Sequence, residues 1–292
     1  MSQFDTFRAC EAKYHKRYIR NKQTPERAVP LDRGTLVHLA EEIYWEGIKA
    51  GRPFEDNVVA ALSAVRKMGV IETGLEIDDI VAVVDVMEEN FHFWKTDDYK
   101  FEVVDVEKPF IYLFHEADDW RLYLTGKIDL IVSDNRYLNL PYDHKSFERT
   151  YPTGRMANQF RNYCCAVGSQ FLVVNKIGFQ KTLPPEKKFL RIMLTYDQPY
   201  MDKWKLNMIA SIEHYLSCAA DDYWPMNETS CNKFNKVCEY YEVCDASDVK
   251  DAEYKMMTMF VDGEPWDVTK NLKKTSEAIL ELHSVGPLKD KR

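Results

Sequence analysis

The stretch Gly126–Tyr163, GKIDLIVSDNRYLNLPYDHKSFERTYPTGRMANQFRNY, holds the residues that decide the architecture. Leu122–Val132 and Tyr137–His144 are rich in β-branched and aromatic residues, with the turn formers Ser133-Asp134-Asn135 between them. A hairpin of this kind sets Asp129 and Asp143 side by side. Two converging carboxylates resist ionising together, and a buried charge without a partner is costly. A hard cation resolves the conflict, because Mg²⁺ takes oxygen ligands and usually keeps several waters, leaving room for an anionic ligand. Lys145 follows Asp143 by two positions, which on a strand puts both side chains on one face. Gln159 and Tyr163, four apart, share one face of a helix expected over Gly154–Val167.

Working outward, Phe4–Arg20, Arg33–Ala50, Asp56–Lys67 and Ile77–Lys95 read as helices, with Thr73-Gly74 as a break, and Val103–Phe114 reads as a strand. Downstream, Phe171–Phe179 and Phe189–Thr195 are expected strands, Asp202–Ala219 a helix, and Lys270–His283 another helix after Pro265-Trp266-Asp267. The expected fold class is α/β (α+β), a mixed central sheet flanked by helices. A chain of 292 residues, 45% hydrophobic and 29% charged, can form one large domain or a core with a small appendage. No apolar run reaches the length of a membrane span. A net charge of −8 disfavours loose coating of a polyanion, so any such contact depends on local basic groups. Lys13, His15, Lys16, Arg17, Arg20, Lys22 and Arg27 form one basic region, and Arg149, Arg155 and Arg161 flank the carboxylates.

Of seven cysteines, Cys231, Cys238 and Cys244 cluster in CNKFNKVCEYYEVC, while Cys10 lies in FRACEAKYHKRY. The first residues are polar and lack an apolar leader, so a reducing, cytoplasmic setting is expected and ligation outranks disulfides. Four thiolates suit zinc or a [4Fe–4S] cluster, and both stay open on these residues. Cys164, Cys165 and Cys218 are expected to be buried thiols.

Taken in order, these residues resemble the PD-(D/E)xK nuclease superfamily, and within it the RecB-type exonucleases. The motif positions fall on Asp129, on Asp143 and Lys145, and on the QxxxY pair Gln159 and Tyr163. Gly34-Thr35-Leu36-Val37-His38 matches the glycine-to-histidine segment, and Glu107 resembles the glutamate on the strand before the acidic hairpin. The resemblance implies a restriction-endonuclease-like core (about 101–220) behind a helical arm (about 34–98), within a nuclease domain of residues 1–245 followed by an appendage, 246–292. It also implies Mg²⁺ or Mn²⁺ held by His38, Asp129, Asp143 and the main-chain carbonyl of His144. Some RecB-type nucleases tie one N-terminal cysteine to three C-terminal ones through an iron–sulfur cluster. Here that layout falls on Cys10 with Cys231, Cys238 and Cys244. The first interval of the triplet is six residues, where the family usually has two.

The implied activity is metal-dependent hydrolysis of phosphodiester bonds, exonucleolytic and on single-stranded DNA or DNA ends. The implied setting is recombination, replication or end processing in a bacterial or phage-infected cytoplasm, with a helicase, a recombinase or a second copy as partner. Tyr14, Tyr18, Phe147 and Tyr151 are candidates for stacking bases. Two other readings stay open: a non-catalytic DNA-binding or assembly subunit that keeps the fold, and a redox-regulated DNA-binding protein built around the cysteines.

Overall fold

The computed structural model describes residues 2–25, 29–148, 154–233 and 236–263. Arg27, Arg149, Tyr151, the Pro265-Trp266-Asp267 segment and the helix expected at Lys270–His283 lie outside the described residues. In chain order the elements are α1 (Ser2–Ala9), α2 (Glu11–Tyr14) with a π-helical turn at His15–Ile19, β1 (Lys22–Gln23), α3 (Val29–Lys49), α4 (Phe54–Glu72) and α5 (Ile77–Asp98). Then follow β2 (Glu102–Glu116), β3 (Arg121–Ser133), β4 (Leu140–Phe147), α6 (Asn158–Val167), β5 (Phe171–Gly178), α7 (Pro185–Lys188) and β6 (Phe189–Thr195). The chain continues through α8 (Gln198–Asp221), a 3₁₀ turn at Glu228–Ser230, β7 (Asn232–Lys233), β8 (Lys236–Val237), α9 (Tyr241–Cys244), α10 (Val249–Met259) and β9 (Val261–Asp262).

Two compact units result, one from the described parts of 1–27 and 199–270, the other from those of 28–198. In the second unit, five strands form a mixed sheet in the order β2-β3-β4-β5-β6. β4 and β5 are parallel and the other neighbours antiparallel, because α6 supplies the crossover that a parallel pair requires. This is the mixed α/β architecture expected from the sequence, and it is consistent with a restriction-endonuclease-like core.

Helices α3, α4 and α5 bury Leu36, Val37, Tyr44, Val58, Val65, Val83 and Met87 against Leu130, Val132, Leu140 and Tyr142 of the sheet. Such burial contributes about 1.5–3 kcal/mol per large apolar side chain. Alternation along β4 turns Tyr142 and His144 to this face and Asp143 and Lys145 to the other, where α6 lies. The turn after β3 is longer than expected. Asp134 Oδ1 accepts the N–H groups of Arg136 and Tyr137 at 2.8 and 2.7 Å, an Asx-type closure that delays β4 to Leu140.

The glycine of the GKID segment has a packing reason. Gly126 pairs with Phe110 across β2 and β3, and a Cβ there would meet the Phe110 ring at 2.7 Å. Phe110 is 1% exposed and packs edge-on against Tyr163 of α6, with centroids 6.0 Å apart. Gly126→Val is therefore expected to displace that ring, costing about 1–3 kcal/mol and lowering the thermal midpoint by roughly 2–10 °C in a circular-dichroism melt.

In the first unit the expected Phe4–Arg20 helix is broken at Cys10, whose backbone is extended (φ −169°, ψ 117°). The break lets Ala12 N–H donate to the Pro225 carbonyl and Cys10 Sγ accept from Asn227 N–H. A small core of Tyr240, Val243, Met256 and Phe260 joins α9 to α10, and β1 pairs with β9. Residues 2–25 are thereby tied to the 225–263 segment.

Candidate active site

β3 and β4 pair only over Leu130–Val132 and Leu140–Tyr142, then separate. Asp129 and Asp143 lie at the split. Asp129 Oδ2 accepts the His144 N–H at 2.8 Å, so the gap is bridged by a carboxylate and not by a ladder bond. His38 comes to the same place from α3, held by its fully buried neighbours Leu36, Val37 and Ala40. Its Nδ1 is 3.6 Å from Asp129 Oδ2 and 3.9 Å from Glu107 Oε1.

His38, Glu107 and Asp129 each offer a ligand atom, all within 4.8 Å of one another. Glu107 sits in the left-handed region at φ 50°, a conformation costly for a residue with a Cβ. Its carboxylate also pairs with Lys127 Nζ. Sequence reasoning gave Glu107 only a family likeness; the geometry places it among the ligand-bearing residues.

Asp143 is fully buried. Lys145 Nζ donates to its Oδ1 at 3.0 Å and stands 2.9 Å from Oδ2, off the direction that would make a hydrogen bond, so Oδ2 stays without one. Lys145 Nζ also donates to Gln159 Oε1 at 3.4 Å; Gln159 Nε2 donates to Tyr163 OH at 2.8 Å, which donates to the Lys127 carbonyl at 2.5 Å. The two α6 residues thus form a chain of props from β3 to the lysine. Tyr163 is 4% exposed, whereas the Lys145 side chain is 33% exposed.

Burial dominates the electrostatics. It pushes the Asp129, Asp143 and Glu107 carboxyls up, against the pull of the His144 N–H and Lys145 on Asp129, of Lys145 on Asp143 and of Lys127 on Glu107. It pushes His38 down, against the pull of Glu107. Every group leans toward its neutral form, as expected of oxygen ligands in a dry cleft before a cation compensates them. The donor set fits a divalent cation: hard oxygens, one imidazole, and beside them a buried carboxylate oxygen that accepts no hydrogen bond.

The His144 side chain turns away from the cleft and is 1% exposed, held well below the usual histidine range by burial. Phe147 is also buried and cannot stack a base. Arg161 is buried too, its guanidinium donating to the Met156 carbonyl and to Asn158 Oδ1. Four residues of the basic N-terminal region form ion pairs within their own unit. Lys13 and Arg17 meet Glu239, Arg20 grips Glu253 through two 2.7 Å bonds, and Lys22 meets Asp262. Tyr14 packs among Phe7, Tyr215 and Trp224.

Cys10, Cys231, Cys238 and Cys244 fall in one unit. Asn227 N–H donates to Cys10 Sγ and its carbonyl accepts from Cys231 Sγ, Cys238 N–H donates to the Cys231 carbonyl, and Cys244 N–H donates to the carbonyl of Tyr240, two residues after Cys238, so hydrogen bonds link the segments that carry the four. No three of them lie mutually within 4.8 Å. Cys164 and Cys218 are buried as expected, and Cys165 is half-buried.

Among the described residues no helix is long and apolar enough to cross a membrane. A sequence model of the PD-(D/E)XK nuclease superfamily matches residues 1–245. No curated protein matches the chain.

Proposed function

Because the chain belongs to the PD-(D/E)XK nuclease superfamily, we propose that it is a Mg²⁺- or Mn²⁺-dependent exonuclease acting on single-stranded DNA or DNA ends. The observation that carries this reading is the convergence of His38, Glu107 and Asp129 beside the Asp143–Lys145 pair. His38, Asp129 and Asp143 would hold the cation; Glu107 joins them on its geometry, and the His144 carbonyl on the family resemblance. A cation there supplies Lewis-acid polarisation of a phosphoryl oxygen and acidifies a water. The ammonium of Lys145 orients the attacking water and offsets charge on the phosphate, while Gln159 and Tyr163 fix where that ammonium sits. The preference for DNA ends rests on the ordered RecB-type motifs.

The same reading assigns residues 1–245 to the nuclease domain, 246–292 to an appendage, and the four cysteines to a [4Fe–4S] cluster. The one-plus-three layout of the RecB-type resemblance favours the cluster over zinc. Lys13 beside Cys238 and Lys16 beside Cys231 supply positive charge next to those thiols. A helicase, a recombinase or a second copy in the cytoplasm fits such an enzyme as partner.

The cation predicts a pH-dependent thermal shift. Burial raises Asp129 and Asp143 from 3.8 to about 6. A carboxyl whose folded pKa lies above its unfolded one gives stability that is present below the unfolded value and lost as pH rises through the folded value. Mn²⁺ binds the ionised form, so it should restore stability above that window and do little below it. At about a hundredfold excess over Kd the gain is about 2.7 kcal/mol, some 5–10 °C, near pH 7.5 and far less near pH 4.5. A midpoint indifferent to Mn²⁺ at both pH values would remove the metal from the account.

A further inference from the structure

Behind the cleft the ligand-bearing elements meet in a polar cluster that takes no part in the chemistry proposed above. Glu41 lies one helical turn after His38 on α3 and is 2% exposed. Its Oε2 accepts from Trp45 Nε1 at 2.9 Å, and its Oε1 accepts from Asn90 Nδ2 of α5 at 3.0 Å and Asn175 Nδ2 of β5 at 3.4 Å. Asn175 Nδ2 also lies 2.9 Å from His144 Nδ1, directly across the β4–β5 ladder. One carboxyl group therefore links α3, α5, β5 and β4.

Such a cluster is an expensive way to fill an interior. Apolar residues of the same volume are often at least as stable as buried charged groups, and a half-satisfied polar cluster is worse than either. What directional bonds add is register. His144 is where register matters, since its N–H holds Asp129 Oδ2, the atom nearest His38 Nδ1.

We propose that Glu41, Asn90 and Asn175 are positioning residues for the metal centre: by fixing His144 against α3 they hold Asp129 and His38 at ligand spacing. The proposal rests on the metal-dependent nuclease reading. Partners one bond behind a ligand typically change metal affinity by about 10–100-fold when removed.

The test is Mn²⁺ binding to the full chain by isothermal titration, independent of cleavage, for wild type, Asn175→Ala, Glu41→Gln and Asn57→Ala. Glu41→Gln changes one atom and turns an acceptor toward a donor, so it decides the matter if Asn175→Ala fails to fold. The expected result is Mn²⁺ binding weakened about 10–100-fold in both, with native circular dichroism. Asn57→Ala is the structural control. Asn57 is fully buried on α4, and its Nδ2 donates to Tyr99 OH at 2.9 Å and to the Arg52 carbonyl at 3.3 Å. It should lower the melting point and leave Mn²⁺ affinity unchanged. Folded Glu41→Gln and Asn175→Ala with wild-type affinity, beside an Asp129→Ala chain that has lost binding, would overturn this inference alone. A wild-type chain that binds no Mn²⁺ would overturn the nuclease reading with it.

Discussion

Lys145→Ala is expected to lower the rate of DNA cleavage about 10²–10³-fold, the range for removing one preorganised group that meets developing charge. Among the described residues the ammonium hydrogen-bonds the Asp143 carboxylate and the Gln159 amide. Alanine removes the charge facing the phosphate and leaves Gln159 without that contact. Asp143, fully buried, then loses the group that pulls its pKa down, so the rate of the variant should rise toward higher pH than that of wild type. Single-turnover cleavage across pH, with circular dichroism to confirm folding, measures both effects. Wild-type rates in folded Lys145→Ala would assign the lysine a structural role only.

The second large effect concerns the chain ends. Anaerobically purified protein is expected to contain iron and acid-labile sulfide, and Cys10→Ser to lose both. Closing the loop from Cys10 to Cys231 is worth about 5 kcal/mol by the chain-entropy relation for cross-links. That loss falls on the first unit, where α1 and α2 contact the 225–231 segment through the Ala9 carbonyl, Cys10 and Ala12. Limited proteolysis should therefore open that unit first in Cys10→Ser, while the unit of the five-stranded sheet keeps its protection. One zinc per chain in place of iron would exchange the cluster for a zinc site; neither metal would remove the staple.

The sheet was legible because alternation and turn chemistry are local. Phe189–Thr195 forms as expected, and the hairpin sets Asp129 and Asp143 at one split. Glu107 was only partly legible, since the backbone turn at φ 50° that aims its carboxylate at His38 has no marker in Val106-Glu107-Lys108. The break at Cys10 lacks a glycine or proline and follows from contacts with residues 225–231. The ion pairs of the basic run were not legible for the same reason. Charge is visible in a sequence, but its partners Glu239, Glu253 and Asp262 lie more than 220 residues away. Glu41, Asn90 and Asn175 sit on three separate elements, and only the fold brings them to His144.

Whether one cleft performs metal-dependent cleavage is decided with end-labelled single-stranded and duplex DNA. Anaerobically purified protein would be incubated with Mn²⁺, with Mg²⁺ or with chelator, beside Asp143→Ala. Products that form with metal, vanish with chelator and are absent in the variant are the expected result, their ladder giving the polarity of digestion. DNA that is bound yet left intact by the wild-type protein at every metal concentration would contradict the account and leave a non-catalytic DNA-binding subunit.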